Sequence, residues 1–69
     1  MNEDVKLVKY MGREFVVPTW AKFIAADRSF DVYVYAEPPD WEFGDWYPKN
    51  NVYEFVGVLV DFNHPCEAI

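Results

Sequence analysis

Along this chain apolar and polar positions alternate with a period of two, broken by short polar turns, and no stretch carries a helical period beyond a single turn. The clearest pattern spans residues 20–37, WAKFIAADRSFDVYVYAE, where two apolar, aromatic and β-branched runs flank Asp27-Arg28-Ser29-Phe30 and predict a central β-hairpin. In its second strand Val32, Val34 and Ala36 alternate with Tyr33, Tyr35 and Glu37, so an aliphatic face turns inward and a tyrosine face stays partly wet. In its first strand Ala21, Phe23 and Ala25 share one face, Trp20, Lys22 and Ile24 the other, and both faces carry large apolar groups.

Upstream, residues 5–17 read as a first hairpin: a β-prone run with Lys6 and Lys9 spaced through it as on an edge strand, the short link Met11-Gly12-Arg13, and the return strand Glu14-Phe15-Val16-Val17. Pro18 cannot donate to a ladder and ends that strand or stands at an edge. Residues 38–51 change character, with Pro38, Pro39, Pro48 and Gly44 and no sustained period, and are expected to be a long aromatic and acidic loop. Residues 52–62 form the longest apolar segment, with Val56, Val58, Val60 and Phe62 on one face and Tyr53, Phe55 and Leu59 on the other. Apolar on both faces, it is expected to be a central strand, with Gly57 marking a bulge or bend. Residues 63–69 are left as a tail. The predicted fold is all-β: a single small antiparallel sheet of about five strands, two hairpins plus a long C-terminal strand, in one domain over residues 1–69.

Composition changes this picture in two ways. A chain of 69 residues buries only about 60% of its unfolded surface, so the core has to be dense, and 20% aromatic residues supply that density. The charge is lopsided. Residues 1–34 carry five acids and five bases, whereas residues 35–69 carry seven acids against Lys49 alone, so the whole net charge of −6 lies in the second half. Such a surface repels phosphate and argues against direct binding to nucleic acid or to an anionic membrane. No apolar run has the length of a membrane span, no start resembles a secretory signal, and one cysteine, Cys66, excludes an internal disulfide; the expected setting is the cytoplasm.

Candidate chemistry is thin. His64 and Cys66 stand two apart near the end, without the second pair of ligands that a structural zinc site needs, and a short tail builds no pocket in which His64 could activate Cys66. Asp27 and Asp31 flank a tight turn, where aspartate bonds nearby backbone amides. With no phosphate loop and no His and carboxylate cluster, no catalytic, cofactor or metal site is expected, and the chain reads as a non-enzyme. The loop 38–51 offers something else: Trp41, Phe43, Trp46 and Tyr47 interleaved with Asp40, Glu42 and Asp45. Those aromatics either fold back as a lid over a core that is too small, or form a recognition surface whose acids steer in a basic partner.

The run VVPTWAKFIAAD over residues 16–27, followed by DVYVYAE over residues 31–37 and then Pro38-Pro39, resembles a small β domain recurrent in tailed-phage proteins, in which a VPxWAKFIAxD strand turns into a VYxYExxP strand. The resemblance covers about a third of the chain; members carry an Asp-Gly turn where this sequence has Arg28-Ser29-Phe30. Within that family the chain is most similar to regulators of transcription, as in phages of Xanthomonas, that bind the host RNA polymerase. Ser29 to Glu37 is also similar to an SFEVPIYAE run in a phage inhibitor of the same enzyme. The resemblance implies a non-enzymatic regulator that binds host RNA polymerase, on its large subunit, inhibits σ-dependent initiation and promotes antitermination. The expected contact residues are Tyr33, Tyr35, Asp40, Trp41, Glu42, Asp45, Trp46 and Tyr47. The competing readings are an acidic DNA mimic that inhibits another host nucleic-acid enzyme, and a minor virion or assembly protein.

Overall fold

A computed structural model describes residues 4–43, 45–59 and 66–69. The chain is all-β and antiparallel, with β1 (Val5–Tyr10), β2 (Arg13–Pro18), β3 (Phe23–Ala26), β4 (Asp31–Tyr35), β5 (Asp40–Glu42), β6 (Asp45–Tyr47), β7 (Tyr53–Val58) and β8 (Glu67–Ala68). These form three ladders: β1 with β2, a four-stranded sheet in the order β7-β4-β3-β8, and β5 with β6.

Turn chemistry sets the hairpins. Between β1 and β2 the two-residue link has Met11 at φ 53° and Gly12 at φ 80°, the pair of positive φ values that matches the strand twist of a tight hairpin. Between β3 and β4 the Phe30 N–H donates to the Asp27 carbonyl at 2.8 Å, the Asp27 N–H donates to the Asp31 carbonyl at 2.9 Å, and Phe30 sits at φ 73°. That is a three-residue loop whose last member occupies the left-handed position usually held by glycine. A turn closed by the Ala21 N–H on the Pro18 carbonyl at 3.0 Å then carries the chain from the first hairpin to the second.

The core lies between these two layers. From the first hairpin it takes Tyr10, Phe15 and Val17, and from the sheet Ile24, Ala26, Val32 and Val34, closed by Ala21 and Leu59. Val8, Met11, Trp20, Val56 and Ile69 pack around it. Burial of Val32 and Val34 follows from the alternation in β4, and register places Ile24 opposite Val34 on the same face. Two stacked layers account for an extent of only 16 Å along the shortest axis. Gly57 serves this packing: a Cβ there would stand 3.0 Å from Cε1 of Phe15.

Five expectations change. The described residues form eight strands in three ladders rather than about five in one sheet, because short segments at positions 40–47 and 67–68 also pair. The segment expected as a loop holds the hairpin β5–β6, whose three-residue strands are too short to show a period. The segment expected to be central is the edge strand β7; its second apolar face is an exposed aromatic surface, with Phe55 51% and Val58 50% exposed, and a register shift falls where Val56 is inserted between Phe55 and Gly57. The tail contributes β8, which pairs with β3 through Phe23↔Ala68 and Ile24↔Glu67. Lys6 is also not an edge guard, since its ammonium turns inward to donate to the Ala21 carbonyl at 2.7 Å. Val60, Asp61, Phe62 and His64 lie outside the described residues. No helix of the described residues is long and apolar enough to cross a membrane.

Candidate interaction site on the acidic hairpin

The hairpin β5–β6 is short and held to the body at one end. Its register pairs Asp40 with Tyr47, Trp41 with Trp46 and Glu42 with Asp45, and Phe43 follows directly on β5. The two indoles pack at 4.8 Å between centroids with planes 59° apart, a tilted cross-strand aromatic pair of the kind that stabilises short ladders. The Trp46 backbone N–H donates to a carboxylate oxygen of Asp27 at 2.9 Å, which ties β6 to the β3–β4 turn. Between turn and hairpin runs an open cleft of ≈ 550 Å³ lined by Asp27, Arg28, Ser29, Asp45, Trp46 and Tyr47. In the segment that returns to the sheet, the Asn50 amide donates to Glu37 at 2.8 Å and its carbonyl accepts the Val52 N–H at 2.9 Å.

Within the hairpin the side chains divide. Asp45 and Trp46 are half-buried, and the Trp46 Nε1 is enclosed without a hydrogen-bond partner among the described residues, so Trp46 is the anchor. Trp41 is 52% exposed, Tyr47 and the acids Asp40 and Glu42 are exposed, and Phe43 at the tip is 89% exposed. Lys49 lies 3.8 Å from Asp40, with both side chains at least half in water, so the pair neutralises one acid only weakly. Trp46 is thus partly enclosed against the β3–β4 turn, while Trp41, Phe43 and Tyr47 face solvent among carboxylates.

The tyrosines separate as well. Tyr33 is half-buried on the outer face of the sheet, where it meets Phe55 at 5.6 Å in an edge-on contact and Tyr53 at 6.1 Å. Burial, then the charges of Asp31 and Asp27, push its phenol above the usual range. Tyr35 is only 2% exposed and stacks on Tyr53 at 6.3 Å, so it supports the aromatic strip from beneath and offers no contact surface of its own. Its phenol is pushed up, by burial first and next by the Asp27 charge. Phe43, the most exposed aromatic of the hairpin, is not among the contact residues expected from the sequence. The signal for it was the two-residue spacing between Glu42 and Asp45 with Gly44 in it, which marks a tight hairpin tip.

Cys66 is half-buried, and its thiol is pushed up by burial and then by Glu67, which keeps it protonated and a poor nucleophile. Among the described residues no three His, Cys, Asp or Glu side chains converge as a metal would require. No family model, curated protein or solved structure gives a significant match to this chain.

Proposed function

We propose that the protein is a non-enzymatic, phage-encoded regulator that binds host RNA polymerase, on its large subunit, with the hairpin β5–β6 as a contact element, inhibiting σ-dependent initiation and promoting antitermination. The observation that carries a docking role is the surface of this hairpin, where exposed Trp41, Phe43 and Tyr47 stand among Asp40, Glu42 and Asp45. Aromatic side chains of this kind supply most of the energy of protein interfaces, and the surrounding carboxylates speed encounter with a basic surface. The identity of the partner is supported by the resemblance of residues 16–27 and 31–37 to phage transcription regulators.

Binding of the purified protein to host RNA polymerase, with and without σ, tests the assignment, and absence of binding in both settings refutes it. Replacing Asp40, Glu42 and Asp45 by their amides slows association and flattens its salt dependence, whereas Trp41→Ala speeds dissociation. A DNA mimic behaves differently: its affinity collapses with salt and is indifferent to Trp41. Recovery of virion proteins without polymerase from a lysate of infected host cells favours an assembly role.

A further inference from the structure

We propose that the outer edge of β7, at residues 53–56, is a strand-addition site for an extended basic segment of another protein. This surface lies apart from the hairpin and does not depend on which protein docks there. β7 ends the order β7-β4-β3-β8, so among the described residues the backbone groups on the side away from β4 face no strand. β8, at the other edge, is two residues long, while β7 has six. Near Gly57 the ring of Phe15 comes up from β2, so the open stretch is the part before it.

Three features select the occupant. Tyr53 and Phe55 stand on the outer face with Tyr33, giving a strip of exposed aromatic surface beside the open backbone. Glu54 is in register with Val34, whose side chain is fully buried, so Glu54 stands on the core-facing side of the rim and is nevertheless exposed. β7 and β4 contain no lysine or arginine, and Asp31 lies opposite Val58. An inward-facing charge on an edge is a common guard against indiscriminate pairing. A second copy would bring another Glu54 and another −6 of net charge, and an apolar strand would leave the carboxylate facing carbon. A strand with lysine or arginine opposite Glu54, and apolar side chains over Tyr53 and Phe55, meets all three conditions by backbone pairing with alternate pockets.

The test uses the full chain, isotope-labelled for amide resonances, and two short blocked peptides, one alternating lysine with valine and one alternating glutamate with valine. The lysine–valine peptide is expected to shift and protect amides at residues 53–56 and the glutamate–valine peptide to leave them unchanged; N-methylating the lysine–valine peptide along one edge should abolish the effect. Glu54→Lys, whose folding is checked by its melt, should reverse the preference between the peptides. The proposal is overturned if the lysine–valine peptide leaves residues 53–56 unmoved or acts on the β5–β6 hairpin instead. It is also overturned if N-methylation changes nothing, which would mean attraction by charge alone, or if residues 53–56 become protected with rising protein concentration and no peptide, which would mean self-pairing.

Discussion

Phe43 breaks two rules at once: it holds a φ of 53°, which L residues other than asparagine and aspartate adopt at a cost of about 1–2 kcal/mol, and it leaves 89% of a large apolar side chain in water. Neither helps folding. Residues that oppose local preference without a packing reward concentrate where a protein binds. Phe43→Asn is therefore expected to raise stability by about 1 kcal/mol, seen as a higher midpoint in a thermal or urea melt, while weakening attachment to the proposed partner. Gly57 is the opposite case. Gly57→Ala drives a methyl group into the Phe15 ring and is expected to cost about 1–3 kcal/mol by the same melts. Tyr10 adds a pH dependence. Burial, partly opposed by a backbone hydrogen bond with Ala26, pushes its phenol up to about 12, against about 10 in the unfolded chain. The folded state thus holds this proton more tightly, so its contribution is complete below pH 10 and is lost as pH rises toward 12. Melting temperatures measured across that window should fall, with Tyr35 acting in the same direction.

At the scale of elements, Asp27 links two hairpins, because its carboxylate accepts the Trp46 N–H. Asp27→Ala is expected to speed amide exchange in β5 and β6 while leaving the amides of β4 protected, since hydrogen bonds to a charged group contribute about 1.5–3 kcal/mol. Two hairpins were legible in the sequence because each has alternation on both sides of a turn signal: Met11-Gly12 for β1–β2, and the polar Asp27 to Ser29 for β3–β4. β5 and β6 were not, since three residues apiece carry no period and their pairing rests on the Trp41 and Trp46 contact across the hairpin. β7 was legible as a strand but misplaced as central. An exposed aromatic face and a buried apolar face look alike in a string of letters. The expected contact residues divide on the same ground: alternation alone put Tyr33 and Tyr35 together, yet Tyr35 is buried against Tyr53, whereas Tyr33 stays half-exposed in the surface strip.

For the whole molecule, a thin two-layer core means that few side chains carry the fold. A domain of this size has about 3–5 kcal/mol in reserve. Ile24→Ala, at a fully buried site, is expected to cost about 2–5 kcal/mol and to leave a largely unfolded chain, whereas Val58→Asp, at a half-exposed edge position, should cost about 1 kcal/mol or less and retain a cooperative transition. Urea melts of the two variants check both. The acidic half has its own whole-molecule effect, since a net charge of −6 on so small a body opposes self-association and keeps the exposed aromatics of β5–β6 and β7 available to other proteins.

The tilted Trp41–Trp46 pair also makes the acidic hairpin optically distinct from everything else in the chain. Two indoles this close couple their excited states, and the coupling gives a pair of circular dichroism bands of opposite sign in the far ultraviolet, superimposed on the β-sheet signal. The third tryptophan, Trp20, packs against the core. The hairpin consequently carries a native spectroscopic tag: its opening removes the couplet while the sheet signal stays, so the order in which hairpin and core come apart can be followed without a label.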